Sequence, residues 1–241
     1  MIILSNRIFF FTIILGMLAF LPRNAMVIAM GREDAEENSH MIQLPSPILK
    51  GTISVEEAIN ARRTRRNFSD QALTLKEWGQ ILWAAQGITS DGKIKKRAAP
   101  SAGALYPIEL YLILSKGFSD SIPAGIFHYV PTKHALEQIS DKNFAKEVAK
   151  ASLHQYWMAE ASGMILITAE YSRITGKYGK RGIRYAHIEA GHVAQNCLLQ
   201  AESLNLKVGI VGAFEDQKLM DLLPIPKTHE PILILPMGRS R

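Results

Sequence analysis

The sequence predicts one packed domain of mixed helices and strands behind an apolar leader. Three observations lead there. Two helix-opening capping boxes and a long helical pattern share the chain with apolar runs of strand length. The 241 residues and 47% hydrophobic content suit one substantial core. The first thirty residues differ in composition from all that follows, and no fixed-period repeat or low-complexity tract divides the rest.

Arg7 precedes the apolar run Ile8 to Leu21, fourteen residues that are short for a membrane span and right for a signal-peptide core. Pro22 breaks the run, and Val27-Ile28-Ala29 puts small residues where a signal peptidase reads. Residues 1–29 are therefore expected to be a removed signal peptide, or an N-terminal anchor if retained, with the remainder exported or held at the membrane through this segment alone. Loss of Arg7 and Arg23 would lower the net charge from +6 to +4. Residues 30–49, with Glu33, Asp34, Glu36 and Glu37, read as a flexible linker, and residues 50–241 as the folded domain.

Ser54 with Glu57 opens the first helix, which carries Ala58, Ile59 and Arg62. Thr74 with Glu77 opens the second, whose Leu75, Trp78, Ile81, Leu82 and Ala85 form a core face and whose Gly87 is placed for a left-handed cap. Thr89 to Ala99 is a basic loop. Ile108–Leu114 alternates as a strand, Ile126–Val130 is a second strand, and Asn143–Leu153 is helical. Gly163–Thr168 is a continuous apolar strand of the kind covered on both faces. Tyr171 to Gly182, polar with three glycines, reads as a mobile surface loop. The longest helix runs Ile183–Leu204, with an apolar side of Ile188, Gly191, Ala194, Cys197, Leu198 and Ala201 suited to the domain centre or a dimer seam. Leu206–Phe214 is a strand, Glu215–Leu223 a short helix and Pro231–Leu235 a final strand.

Several chemistries are excluded. The charge of +6 is mild and no Lys/Arg run with interleaved aromatics occurs, so no nucleic-acid partner is expected. One cysteine, Cys197, permits neither an internal disulfide nor a multi-cysteine metal site. His187 and His192 are five apart, so their rings diverge on the helix and no metal is expected. There is no Walker-type loop, no strand followed by Gly-x-Gly-x-x-Gly, and no Gly-x-Ser-x-Gly elbow.

Arg62, Arg63, Arg65 and Arg66 put four guanidinium groups within five residues. They suit an anion, because the planar fork grips phosphate bidentately; a solvated basic helix end is the alternative. Pro100-Ser101-Ala102-Gly103-Ala104-Leu105-Tyr106-Pro107 is a thin, rigid segment that lets backbone approach a flat ligand, and Gly212-Ala213 ends a strand in a second thin edge.

In that order, with Glu109-Leu110-Tyr111 after the Pro-Ser-Ala-Gly segment, with Glu189, Gly191, Gln195 and Asn196 on the long helix, and with Gly238-Arg239 at the end, residues 50–241 resemble the nitroreductase-like FMN family, in its SagB-type (thiazoline/oxazoline dehydrogenase-like) branch. The resemblance implies an α+β fold with a central, mainly antiparallel sheet flanked by helices, and an intertwined homodimer with FMN at the interface. Arg62, Arg63, Thr64 and Arg66 match the motif that holds the FMN phosphate, ribityl chain and pyrimidine edge, and Arg239 matches a second phosphate contact. Pro100, Ser101, Ala102 and Gly103 match the segment that lines the ring from the partner subunit. Gly212 and Ala213 match the backbone edge near the hydride-accepting nitrogen.

The implied activity is hydride transfer in two steps, from NADH or NADPH to FMN and from FMN to a small-molecule acceptor, with no protein nucleophile. Tyr106 and His128 are candidate proton donors. Azoline oxidation on a peptide with partner proteins is the alternative; the Lys-Tyr pair associated with it is not assigned to residues from the sequence. A non-catalytic flavin-binding protein is another. If the leader exports the chain, NAD(P)H is absent there and a different donor is needed.

Overall fold

Both capping boxes form as their spacing dictates. A computed structural model describes residues 41–90, 92, 95–115 and 122–241. Ser54 opens α1 (Val55–Ala61) and Thr74 opens α2 (Leu75–Gln86); each hydroxyl accepts from the N3 amide while Glu57 or Glu77 reaches back to the cap amide. The other α-helices among the described residues are α3 (Ala145–Ala151), α4 (Ser172–Tyr178), α5 (Arg181–Ser203) and α6 (Asp216–Leu222). The strands are β1 (Met41–Gln43), β2 (Ile88–Ser90), β3 (Lys96–Arg97), β4 (Ile108–Leu114), β5 (Gly125–Val130), β6 (Ala135–Ser140), β7 (Gly163–Ala169), β8 (Lys207–Val208) and β9 (Glu230–Gly238).

Seven strands form one sheet in the order β1-β6-β5-β4-β7-β9-β8, and each neighbouring pair from β6 to β8 is antiparallel. The expected α+β architecture with a mainly antiparallel sheet is what the chain adopts. Apolar layers cover both faces of the sheet. Ile108, Leu110, Leu112 and Leu114 pack with Ile81 and Leu82 of α2 and with Ala190, Val193 and Cys197 of α5. Tyr111 and Ile113 pack with Val148 of α3 and Leu219 of α6. Every residue of β4 and β7 is therefore buried, β4 included, although its sequence reads as alternating. Trp78 is wholly enclosed, as is Cys197.

Several expectations are corrected. The compact unit begins at Ile42, not residue 50, because β1 joins the sheet edge and Leu44 is buried. Residues 1–40, which hold the leader and most of the linker, lie outside the described residues. Gly87 is extended (φ −62°, ψ 152°), not left-handed. Its lack of a side chain is used differently: a Cβ there would stand 2.7 Å from Trp83 Cγ. The basic loop contains the short β2–β3 hairpin, with Ile88 opposite Arg97.

The largest correction is at Tyr171–Gly182, which is not a loop but α4 and the start of α5. Gly182 allows it, since a Cβ there would meet the Ile174 backbone at 3.0 Å. On α5 the buried face is Ala186, Ala190, Val193, Ala194, Cys197 and Ala201, whereas Ile188 and Gly191 face outward. The strand expected over Leu206–Phe214 shortens to β8, with one further bridge at Val211 to Ile234.

Candidate active site

The arginine stretch leaves α1 at Arg62 and runs beside β8: Thr64 bridges Val208, and the Arg65 amide donates to Val208 O at 2.9 Å. β8 pairs with the end of β9, Val208 against Met237, and the Ser69 amide donates to Arg239 O at 3.0 Å. Phe68 is buried against Gly238, where a Cβ would lie 3.1 Å from its ring. Chain order thus becomes one corner holding Arg62–Arg66 and Arg239.

Within that corner the guanidinium groups differ. Arg63 is turned onto backbone, donating to Asn60 O and Arg62 O at 2.9 and 2.8 Å. Arg66 lies over the Trp157 indole at 5.7 Å, an arrangement that leaves its in-plane donors free. Arg239 is paired with Glu77 at 2.8 Å. Among the described residues none of Arg62, Arg63, Arg65 and Arg66 has a carboxylate within ion-pair distance. Unpaired cations gathered on an exposed edge suit a phosphate, which would supply the missing charge.

The Pro100–Gly103 segment lies at another place. Ala102–Ala104 make one 3-10 turn with Gly103 at φ 64°, and Ala104 and Tyr106 also have positive φ. The turn is held from inside: Ser101 Oγ accepts from the Tyr106 amide at 2.9 Å, and the Tyr106 hydroxyl accepts from the Arg97 amide at 3.1 Å. The Arg97 guanidinium covers the Tyr106 ring at 4.6 Å. Among the described residues no hydrogen bond, ion pair or ring contact joins this turn to the arginine corner of the same chain. Gly212 and Ala213 are exposed beyond the Val211 bridge, and Ala213 O accepts from Gln155 Nε2 at 3.1 Å.

Behind the turn lies a polar network that the sequence did not reveal. Glu109 is buried, pairs with His128 Nε2 at 2.6 Å and is in ion contact with Arg173. Arg173 also binds Glu170 at 2.5 Å and donates to Tyr106 O at 3.2 Å, which ties α4 to the turn. Burial raises the affinity of Glu109 for a proton, but His128 and Arg173 outweigh it and lower the pKa to about 2. His128, a candidate proton donor, is thereby engaged by Glu109, with Glu137 on its other side at 3.7 Å. Tyr106, the other candidate, is held in the turn.

Two further residues emerge only from the fold. α4 carries Lys177 and Tyr178 onto the turn, so that a Cβ at Gly103 would sit 2.8 Å from Tyr178 Oη and 3.0 Å from Lys177 Nζ. An ammonium and a phenol converging on a thin backbone can position a ligand and exchange protons with it. Their segment reads as a loop in the sequence, because a Lys-Tyr dipeptide between glycines carries no periodic signal of its own.

Over residues 59–239 the chain matches the Nitroreductase family. It is 40% identical over 188 residues to the nitroreductase MJ1384 of Methanocaldococcus jannaschii, across 78% of this chain and 92% of that protein. A nitroreductase structure from Ralstonia eutropha superposes with a TM-score of 0.71 at 25% identity, covering 84% of this chain and 90% of the other. A chain of the Escherichia coli microcin synthetase McbBCD complex with truncated pro-MccB17 bound gives a TM-score of 0.65 at 25% identity, covering 82% and 77%. With the family matched over most of the chain and the fold shared with these structures, the protein is an oxidoreductase of the nitroreductase family, in its SagB-type branch.

Proposed function

We propose that the protein is an FMN-dependent oxidoreductase, working as a homodimer, that passes a hydride from NADH or NADPH to a small-molecule acceptor. FMN, when bound, supplies the hydride chemistry. The chain's own residues bind, orient and shield. Arg62, Arg66 and the free donors of Arg63 and Arg239 would neutralise the phosphate and fix its register beside Thr64. Pro100, Ser101, Ala102 and Gly103 of the partner subunit would lie along the ring as a thin backbone segment, with Lys177 and Tyr178 converging on it at Gly103. Gly212 and Ala213 would offer backbone at the opposite ring edge.

The observation that carries this reading is the arginine corner: several guanidinium groups without a carboxylate partner, arranged by a fold whose family is one of oxidoreductases. The test is direct. Purified protein, or protein incubated with FMN, is expected to show a bound-flavin absorbance band that bleaches anaerobically with NADH or NADPH. Arg62→Ala combined with Arg66→Ala should weaken FMN binding at least a hundredfold, since charged hydrogen bonds are each worth roughly 1.5–3 kcal/mol. A colourless protein that takes up no FMN would refute the proposal.

A second reading, azoline oxidation on a peptide with partner proteins, is favoured by the adjacent Lys177 and Tyr178 over Gly103 and by likeness to a chain of a peptide-processing complex. Incubation with an azoline-bearing peptide should then give the azole, two hydrogens lighter by mass. Lys177→Ala would block that conversion while leaving bound FMN in place.

A further inference from the structure

The longest of the described helices, α5, carries a carboxyl group that neither the proposed anion corner nor the proposed ring-facing turn requires. Glu189, in the middle of α5, is 1% exposed, and so is Gln86 at the end of α2. Gln86 Nε2 donates to Glu189 Oε1 at 3.3 Å. Gln86 Oε1 and Glu189 Oε2 are both buried and have no donor. The two orphaned acceptors therefore belong to one pair of side chains.

A charged Glu189 leaves Gln86 Oε1 without a donor and leaves a buried charge without a cation in contact, two arrangements that folded proteins avoid. Arg97 attracts Glu189 only through space, while its guanidinium stacks on Tyr106. A proton on Glu189 Oε2 removes both faults. It supplies a donor to Gln86 Oε1, and the acid and the amide then satisfy one another as a cyclic pair. The electrostatics agree: burial drives the Glu189 pKa up to about 7, against smaller downward effects of Ser101, Gln86 and Arg97.

This pair lies directly behind the ring-facing turn. Ser101 is a neighbour of Glu189, and its oxygen already accepts from the Tyr106 amide at 2.9 Å. The turn brings Ser101, β3 brings Arg97, α2 brings Gln86, and α4 brings Lys177 and Tyr178 to the neighbouring Gly103. On α5 itself Tyr185 and the exposed His192 flank Glu189 by one turn each.

We propose that Glu189 is the proton store of the site: it rests as a neutral acid paired with Gln86 and acts on the reaction through Ser101. This rests on the proposed oxidoreductase reading. The acceptor gains a hydride from NAD(P)H by way of the cofactor, and it needs one proton to balance. Ser101 gives up its hydroxyl proton to the atom that has become electron-rich, Glu189 turns its proton from Gln86 Oε1 to the Ser101 oxygen, and Glu189 is left as a carboxylate that is reprotonated from solvent. Glu189 is thus a positioning and proton-holding residue, and Ser101 is the group in contact.

Infrared spectroscopy of the full protein tests the resting state independently of cofactor and activity. A protonated-carboxyl stretch, shifted by deuterium, should titrate away with a midpoint near pH 7 and be missing from Glu189→Gln. That variant keeps the donor toward Gln86 Oε1, so its melting temperature and FMN affinity should match the parent, whereas kcat should fall on the order of a hundredfold with KM unchanged. In the parent, kcat should decline as pH rises through about 7, and the variant should lose that dependence. Absence of the titrating band, or a variant with the parental kcat and pH profile, would overturn the proposal. Failure of FMN binding in the parent, with the band present, would instead remove the FMN-dependent reaction proposed above and leave the protonated pair intact.

Discussion

At the scale of single residues, the glycines of the candidate site separate by what surrounds them. Gly103 has φ 64°, and its missing Cβ is the space into which Tyr178 Oη and Lys177 Nζ reach. Gly103→Ala combines left-handed strain with a displaced phenol and ammonium, so stability should fall by about 1–2 kcal/mol in urea titrations, with FMN affinity reduced in parallel. Gly212 is the contrast. A Cβ there meets only Leu233 Cδ2 at an ordinary 3.6 Å, and Gly212→Ala should leave urea stability within about 0.5 kcal/mol of the parent. A midpoint for Gly103→Ala equal to that of Gly212→Ala would count against this account. The thinness of Pro100–Pro107 was legible from its residue types. What exploits the thinness was not, because nothing in a local pattern says which distant side chains will arrive there.

At the scale of elements, legibility followed the reach of the signal. The two capping boxes are encoded within four residues and appeared where expected. The core face of α2 follows from periodicity, and it formed. Tyr171–Gly182 failed because Gly176, Gly179 and Gly182 mask seven helical residues, and because α4 is stabilised by a remote partner. That partner is Glu109 of β4, which grips Arg173 while Arg173 holds Glu170 and Tyr106 O. The arginine corner was half legible: the arginines are a visible run, but the pairing of Arg239 with Glu77 needs two segments 162 residues apart.

The Glu109 clamp makes a prediction with a definite sign. Its folded pKa of about 2 is below the roughly 4.3 of an unfolded Glu, so its contribution is complete above the unfolded value and is lost as pH falls through the folded one. Stability should therefore drop between about pH 4.5 and 2 by on the order of 2–3 kcal/mol from this group. Glu109→Gln should be destabilised by that order at pH 7 and should show a shallower loss across the same range. An acid limb unchanged in the variant, followed by circular dichroism in urea, would assign the acid sensitivity to other carboxylates. Because Arg173 is the link from Glu109 to the turn, Arg173→Lys should restore much less of the turn's rigidity than its charge suggests. Lysine cannot reach Glu109, Glu170 and Tyr106 O with one planar fork.

At the scale of the whole molecule, no hydrogen bond, ion pair or ring contact among the described residues joins the arginine corner to the Pro100–Gly103 turn of one chain, so the proposed cofactor site spanning both would call for a second copy. The surface is consistent with that. α1 packs beside α5, and both carry outward apolar side chains: Val55 is 64% exposed, Ile59 56% and Ile188 49%, with Leu49 at 80% just before α1. A groove of about 530 Å³ lined by Leu49, Val55, Trp83 and Leu199 runs alongside. Exposed apolar area of this kind on a stable domain marks a surface that is covered in use. Ile59→Glu combined with Ile188→Glu places charge on that face while leaving the buried side of α5 untouched. The parent should sediment as a dimer and the double variant as a monomer with native far-ultraviolet circular dichroism. FMN affinity should fall at least tenfold in the variant although neither substitution lies in the arginine corner or the turn. A dimeric variant would move the interface elsewhere, whereas a monomeric variant that kept its FMN would mean that one chain closes the site alone, and the assignment of Pro100–Gly103 to the partner's ring would fall with it.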